Sequence, residues 1–219
     1  PRWPCTTDRA RPTPAAVLAA LALLLTAWNV GLVFFAFRDP QRWFYPAWRL
    51  AQQTGGLFNV TLSANVLNFA VFVVGLLILG LKQRPTWLGL DLKRLPAGVA
   101  GALALFALAE ATQAGAAWAQ GEPIVLSDSW SRKAWMASAG LWIAQLFGNA
   151  FFEEVMYRGF FLPQAYLLAA RKLERRPAAC LAVALVLSQG VFTAIHLPVN
   201  AAHDVPPVFL LVQFAVGLV

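Results

Sequence analysis

AAVLAALALLLTAWNVGLVFFAF, residues Ala15–Phe37, runs for 23 residues without a charged side chain. A helix rises ~1.5 Å per residue, so this run covers the ~30 Å hydrocarbon thickness of a bilayer. It is longer than the apolar region of a secretory signal and lacks a convincing cleavage site, so it reads as a first spanning helix. The pattern recurs along the chain. Residues 59–81 are uncharged, Leu95–Ala119 carries only Glu110, 134–152 and 177–195 are uncharged, and 205–219 begins a further run. Five runs are long enough to cross, or nearly so, and a sixth has begun.

Composition agrees. Of 219 residues, 59% are hydrophobic and 12% charged, where a soluble domain carries ~25% charged residues. A water-soluble fold of this size has no interior large enough for so much apolar surface. The expected fold class is therefore all-α, a polytopic transmembrane helix bundle with roughly 6-7 membrane helices. Trp87, Trp118, Trp130 and Trp135 stand near run ends, where an aromatic belt meets the headgroups.

A net charge of +7 invites a nucleic-acid reading, which the distribution of the charges excludes. Lys82, Arg84, Lys93 and Arg94 lie in one short loop, and Arg171, Lys172, Arg175 and Arg176 in another. Such clusters suit anionic headgroups and topology control, so the lipid bilayer is the expected partner and no nucleic acid. Of the two cysteines, Cys180 lies inside an apolar run, which argues against a pairing with Cys5 and leaves the redox compartment open. Residues 1–14 form a polar, proline-containing tail, and 15–219 read as a single membrane domain, with loops at 38–58, 82–94 and 120–133.

Residues 134–176 are harder to thread. A helix from Ala134 reaches Phe152 after ~28 Å of rise, which puts the charged group Glu153, Glu154 and Arg158 at the far end of that crossing. His196 lies likewise at the far end of the helix that starts at Pro177. The two ends meet only if residues 159–170 carry the chain back across much of the bilayer, as a tilted, partial or re-entrant helix. If 159–170 does not cross, Lys and Arg counts place the N-terminus in the cytoplasm; if it crosses, the bias nearly vanishes.

Two constellations carry chemistry. In Glu153-Glu154-Val155-Met156-Tyr157-Arg158, helical spacing lets Glu154 and Arg158 pair across four residues. Glu153 points ~100° away from that pair. Steps of four backwards from Glu153 reach Asn149 and Gln145, and one forwards reaches Tyr157, a polar stripe on an apolar helix. Lipid penalises such a stripe, so it should face the protein interior or a wet cavity. The second constellation is Phe192-Thr193-Ala194-Ile195-His196, with Ser188 and Gln189 earlier on the same run. A poorly solvated carboxylate is a stronger base, an arginine holds the neighbouring carboxylate, and a histidine orients the water or steadies an oxyanion. Either group alone also fits an ordinary structural or helix-end role; their joint occurrence in a charge-poor membrane chain favours a site.

Glu-Glu-x-x-x-Arg followed about forty residues later by Phe-x-x-x-His resembles the CAAX prenyl endopeptidase and bacteriocin-processing (CPBP, Abi) family of intramembrane proteases. The matching text is EEVMYRGFF and FTAIHLP, with a looser WLGL at Trp87–Leu90; the resemblance covers mainly 134–219. It implies that Glu153 and His196 are catalytic, as the water-activating base and the group that binds and polarises the water. Glu154, Arg158, Phe192 and Asn149 would be supporting residues, and Phe214 to Gly217 would be the family's Phe-x-x-Gly. The family's later His-x-x-x-Asn/Asp element has no counterpart before Val219, so the protease-like core at 134–219 is expected to be incomplete.

The expected activity is that of an intramembrane endopeptidase with a glutamate-activated water, needing no cofactor. Two histidines and no His-Glu-x-x-His motif favour a mechanism without metal. The substrate is a peptide or protein, a prenylated C-terminus being one candidate, and the expected location is the prokaryotic plasma membrane. Two other readings stand beside it. An ion- or proton-coupled transporter would use Glu110, Glu153, Glu154 and His196 as a relay. A non-catalytic scaffold or immunity protein of the same fold would not need Glu153 at all. Glu110 reads as a protonated or paired structural carboxyl, and His203 and Asp204 as loop residues.

Overall fold

The computed structural model describes residues 12–91, 93, 95–123, 135–173, 176–202, 206 and 208–216. Most of the N-terminal tail, Cys5, most of the 120–133 loop with Trp130, and His203, Asp204 and Gly217 lie outside these. Every regular element among the described residues is helical. We label the long helices α1 (Ala15–Phe37), α2 (Val60–Gly80), α3 (Leu95–Ala119), α4 (135–172), α5 (Pro177–Ala202) and α6 (Val208–Val216). The chain is an integral membrane protein with an all-α helix bundle.

Among the described residues, three helices are long and apolar enough to cross a membrane by length and composition: Ala15–Phe37, Val60–Gly80 and Pro177–Pro198. With α3, α4 and α6 beside them in the chain, the described helices fit the expected all-α membrane bundle. Helix α4 has the length but not the composition, because Gln145, Asn149, Glu153, Glu154 and Arg158 interrupt its apolar surface.

Local signals explain the helix starts. Asn59 Oδ1 accepts from the Leu62 amide at 2.8 Å and caps α2. Asp39 does the same for the short helix Pro40–Trp43, accepting from the Arg42 amide, and Pro40 occupies its first turn. The 38–58 stretch is thus not a plain loop: it contains Pro40–Trp43 and Tyr45–Gln53. It turns into α2 through Gly55 and Gly56, with φ of 56° and 88°, backbone angles that side chains resist. The basic loop after α2 likewise holds a 3₁₀ turn, Pro85–Leu88.

The largest departure from the sequence reading is α4. The helix does not stop at Phe152, and 159–170 is not a separate re-entrant piece. Glu153 has φ −62° and ψ −45°, and Phe161 has φ −61° and ψ −44°, so the helix runs unbroken through the charged group. Its 38 residues span ~57 Å, and Glu153 falls near the middle. Pro163 should break such a helix, since its ring clashes with the carbonyl four residues back. The chain absorbs it by widening to i→i+5 hydrogen bonding over Glu154–Phe161, which ends with the Leu162 amide donating to the Tyr157 carbonyl.

Helix α5, with four residues between it and the end of α4, packs back antiparallel along the second half of α4. Glu153 precedes the end of α4 by nineteen residues, and His196 follows the start of α5 by nineteen. Equal arms of one hairpin put them at the same depth. A buried tie sets the register: Ser188 Oγ donates to the Tyr157 carbonyl at 2.8 Å. Leu18, Leu21 and Leu25 of α1 and Phe72, Val73 and Leu77 of α2 close the core against Val155, Met156, Phe160 and Ile195. Thr13 before α1 is held by Gln164, whose Oε1 accepts its amide at 2.7 Å.

Two glycines let backbones touch α4. A Cβ on Gly159 would meet the Leu88 carbonyl oxygen, and one on Gly140 would meet the Gly56 and Leu57 backbone. Neither neighbour is a side chain that can swing aside. Gly159→Ala should therefore lower stability by about 1–3 kcal/mol. Gly98→Ala, on α3 where nothing lies within 4 Å, should be neutral or slightly stabilising. Thermal unfolding of both variants in detergent measures the difference.

Candidate active site

The first half of α4, the ends of α1 and α5 and the first half of α2 enclose a cavity of about 1010 Å³. Glu153, Asn149 and Gln145 line it from α4, and Ile195, His196, Pro198 and Ala201 from α5. Helix α1 contributes Asn29, Leu32, Val33, Phe34 and Phe37, with Arg38 at its end, and α2 contributes Thr61, Asn65 and Asn68. From Gln145 to Glu153 the polar stripe of α4 thus faces a cavity, where its amides and carboxylate meet other polar groups, while Tyr157 is buried and does not line it.

Glu153 Oε1 and His196 Nε2 stand 3.4 Å apart. The ring is fixed from its other side: His196 Nδ1 lies 2.7 Å from the Phe192 carbonyl oxygen. A carbonyl can only accept, so Nδ1 carries the proton. Nε2 of the neutral ring is then an acceptor that faces an acceptor carboxylate. The pair is at ease only when it shares a proton or when a third group, such as water, donates between them. Phe192 also lies with its ring tilted against the His196 ring at 4.5 Å and meets Tyr157 edge-on at 5.1 Å. It orients the imidazole by backbone and ring together.

Glu154 and Arg158 form an ion pair on α4, as their spacing predicts, and they do not line the cavity. Their side chains are 54% and 61% exposed, against 28% and 23% for Glu153 and His196. The two adjacent glutamates are thereby sorted: one sheltered beside the histidine, one held outward by a cation. Glu110 is exposed and does not line the cavity. Cys180 is buried and free. Phe214 lies on α6, while its partner in the expected Phe-x-x-Gly, Gly217, lies outside the described residues.

Sequence reading missed the contribution of the N-terminal helices. Asn65 Nδ2 donates to Asn149 Oδ1 at 2.5 Å, and Asn149 Nδ2 donates to Gln145 Oε1 at 3.1 Å. Asn68 Nδ2 reaches Asn65 Oδ1 at 3.4 Å, and Trp28 Nε1 donates to Asn68 Oδ1 at 2.6 Å. Asn65 and Asn68 are both buried. The available signal was two asparagines three apart inside an uncharged apolar run, since polar groups in a membrane helix need partners.

Residues 134–219 match the family model described as Type II CAAX prenyl endopeptidase Rce1-like. No curated protein and no solved structure matches the chain. The matched stretch holds Glu153, Glu154, Arg158, Phe192 and His196 together. Over 134–219 the chain is thus similar to the Type II CAAX prenyl endopeptidases that this family model describes.

Proposed function

We propose that the chain is an intramembrane endopeptidase in which Glu153 activates a water molecule for attack on a peptide bond. The observation that carries this is the opposition of Glu153 Oε1 and His196 Nε2 at 3.4 Å in a polar-lined cavity inside a membrane bundle. A water donating to both acceptors sits where a base can take its proton. Glu153 removes that proton as the water oxygen bonds to the scissile carbonyl carbon. The carboxylic acid so formed returns the proton to the departing amine nitrogen, and the carbon–nitrogen bond breaks. His196 orients the water through Nε2 while the Phe192 carbonyl holds Nδ1–H. Water activation is assigned to Glu153 itself.

Glu154, Arg158 and Phe192 are positioning residues in this scheme. The Glu154–Arg158 pair keeps a second negative charge out of the cavity, where it would repel Glu153. Asn149, four residues before Glu153 on the same stripe, faces the substrate. The substrate is a peptide or protein reached from within the bilayer, and the family points to prenylated C-termini as the first to test. Residues 15–219 act as one membrane unit with the protease core at 134–219, in a prokaryotic plasma membrane.

Glu153→Gln keeps the shape and removes the base. It should lower kcat for a quenched fluorescent peptide with a prenylated CAAX C-terminus by about 10²–10⁴-fold. His196→Ala should cost about 10²-fold or more. Arg158→Ala should leave more activity than either, because its pair lies outside the cavity. Cleavage by Glu153→Gln at the wild-type rate would remove the mechanism. Ion flux through the purified protein in liposomes, without cleavage, would favour the transporter reading.

A second consequence concerns Phe192. Its ring covers Tyr157 and abuts His196. Phe192→Ala should lower kcat while leaving the backbone hydrogen bond to Nδ1 in place, and Phe192→Tyr should keep most of the activity. Steady-state kinetics on the same peptide distinguish the two.

A further inference from the structure

The hydrogen bonds that tie α1, α2 and α4 together have a direction, and one residue sets it. An indole nitrogen can only donate. Trp28 Nε1 therefore fixes the Asn68 side chain with its oxygen toward Trp28, at 2.6 Å. The Asn68 amide nitrogen then donates to Asn65 Oδ1, Asn65 Nδ2 to Asn149 Oδ1, and Asn149 Nδ2 to Gln145 Oε1. Each amide accepts from one side and donates to the other. The series ends on the Gln145 Nε2 hydrogens, which have no acceptor among the described residues. Gln145 and Asn149 line the same cavity as Glu153.

An asparagine or glutamine side chain is close to symmetric and flips at little cost unless its partners forbid it. Here four amides are locked in one orientation from a half-buried indole, which itself packs edge-on to Phe72 at 5.8 Å. The outcome is a helix stripe that offers N–H groups to the cavity at Gln145 and Asn149, with the carboxylate of Glu153 next in line. Residues four apart on a helix are spaced ~6 Å along its axis. In an extended peptide the carbonyls that point the same way recur every second residue, ~6.6 Å apart. The two repeats nearly match.

We propose that the Trp28–Asn68–Asn65–Asn149–Gln145 series orients amide donors that grip alternate backbone carbonyls of an extended substrate peptide beside the bond that Glu153 attacks. This rests on the endopeptidase reading above and adds how the substrate is held. Trp28, Asn68 and Asn65 are positioning residues that touch no substrate. The donors that do are on Gln145 and Asn149, one to two helical turns from the base, so they serve binding rather than the chemical step.

The test uses the full chain in detergent micelles and the same quenched, prenylated CAAX peptide. Trp28→Phe keeps a ring against Phe72 and removes the only group that sets the direction. Asn68→Leu has similar bulk and no hydrogen to pass on, so it breaks the series at its second link without adding a charge to the cavity. Gln145→Met removes the terminal donor, again without a charge. Each should raise KM by about 3- to 10-fold, the weight of one or two hydrogen bonds, with kcat within about twofold. Thermal unfolding of each variant reports whether it is folded, and Asn68→Leu decides if Trp28→Phe is not. Unchanged KM in the folded variants overturns the proposal, and so does a loss confined to kcat.

Binding can be read without cleavage. Fluorescence anisotropy of the labelled peptide on the Glu153→Gln background, with and without Trp28→Phe, should show weaker binding by the same factor. If the wild type does not cleave the peptide, the endopeptidase reading falls on that result alone. The anisotropy comparison still decides the series: weaker binding with Trp28→Phe supports it, and equal binding or none overturns it.

Discussion

One hairpin carries the architecture of this protein. Helices α4 and α5 follow one another with four residues between them and are held in register by the Ser188 hydroxyl on the Tyr157 carbonyl. A helix pair of this kind has a single degree of freedom that matters, its slip along the common axis. A shift of one turn would move His196 by ~5.4 Å, enough to empty the space opposite Glu153. The Tyr157 carbonyl accepts both this hydroxyl and the Leu162 amide, within a widened stretch that adjoins Pro163, which α-helical geometry does not accommodate. A proline that would break a regular helix thus helps to shape the stretch next to the site.

The N-terminal helices finish what the hairpin begins. Glu153 and His196 alone would lie on one face of a two-helix unit, open to lipid. Helices α1 and α2 close that face, and they do so with amides as well as with Leu25, Phe72 and Leu77. In hydrocarbon an unpaired amide costs several kcal/mol, so a continuous series of paired ones both holds the helices together and keeps the cavity polar. The sorting of Glu153 inward and Glu154 outward follows from their adjacency on a helix, with Arg158 four residues on to hold the second carboxylate.

How much of this was legible beforehand varied with the physics involved. Helices α1, α2 and α5 announce themselves because apolar length is read directly from sequence. The Glu154–Arg158 pair follows from spacing, and so does the stripe from Gln145 to Glu153. Helix α4 was misjudged because a charged group and a proline within one helix look like an end, and only tertiary contacts show that the chain continues. That misreading made the meeting of Glu153 and His196 seem to require a re-entrant segment, when a plain antiparallel pair suffices. That Asn65 and Asn68 need partners is legible from their place in an apolar run, but nothing local says which of several helices their amides will meet.

The account stands on Glu153 and His196 facing one another within the bilayer. Paired cysteines at these two positions, in a full-length chain with Cys5 and Cys180 replaced by alanine and embedded in native membranes, test that directly. The account predicts rapid disulfide formation on mild oxidation for Glu153→Cys with His196→Cys, and little for Glu154→Cys with His196→Cys. Equal cross-linking of both pairs, or none in the first, would contradict it.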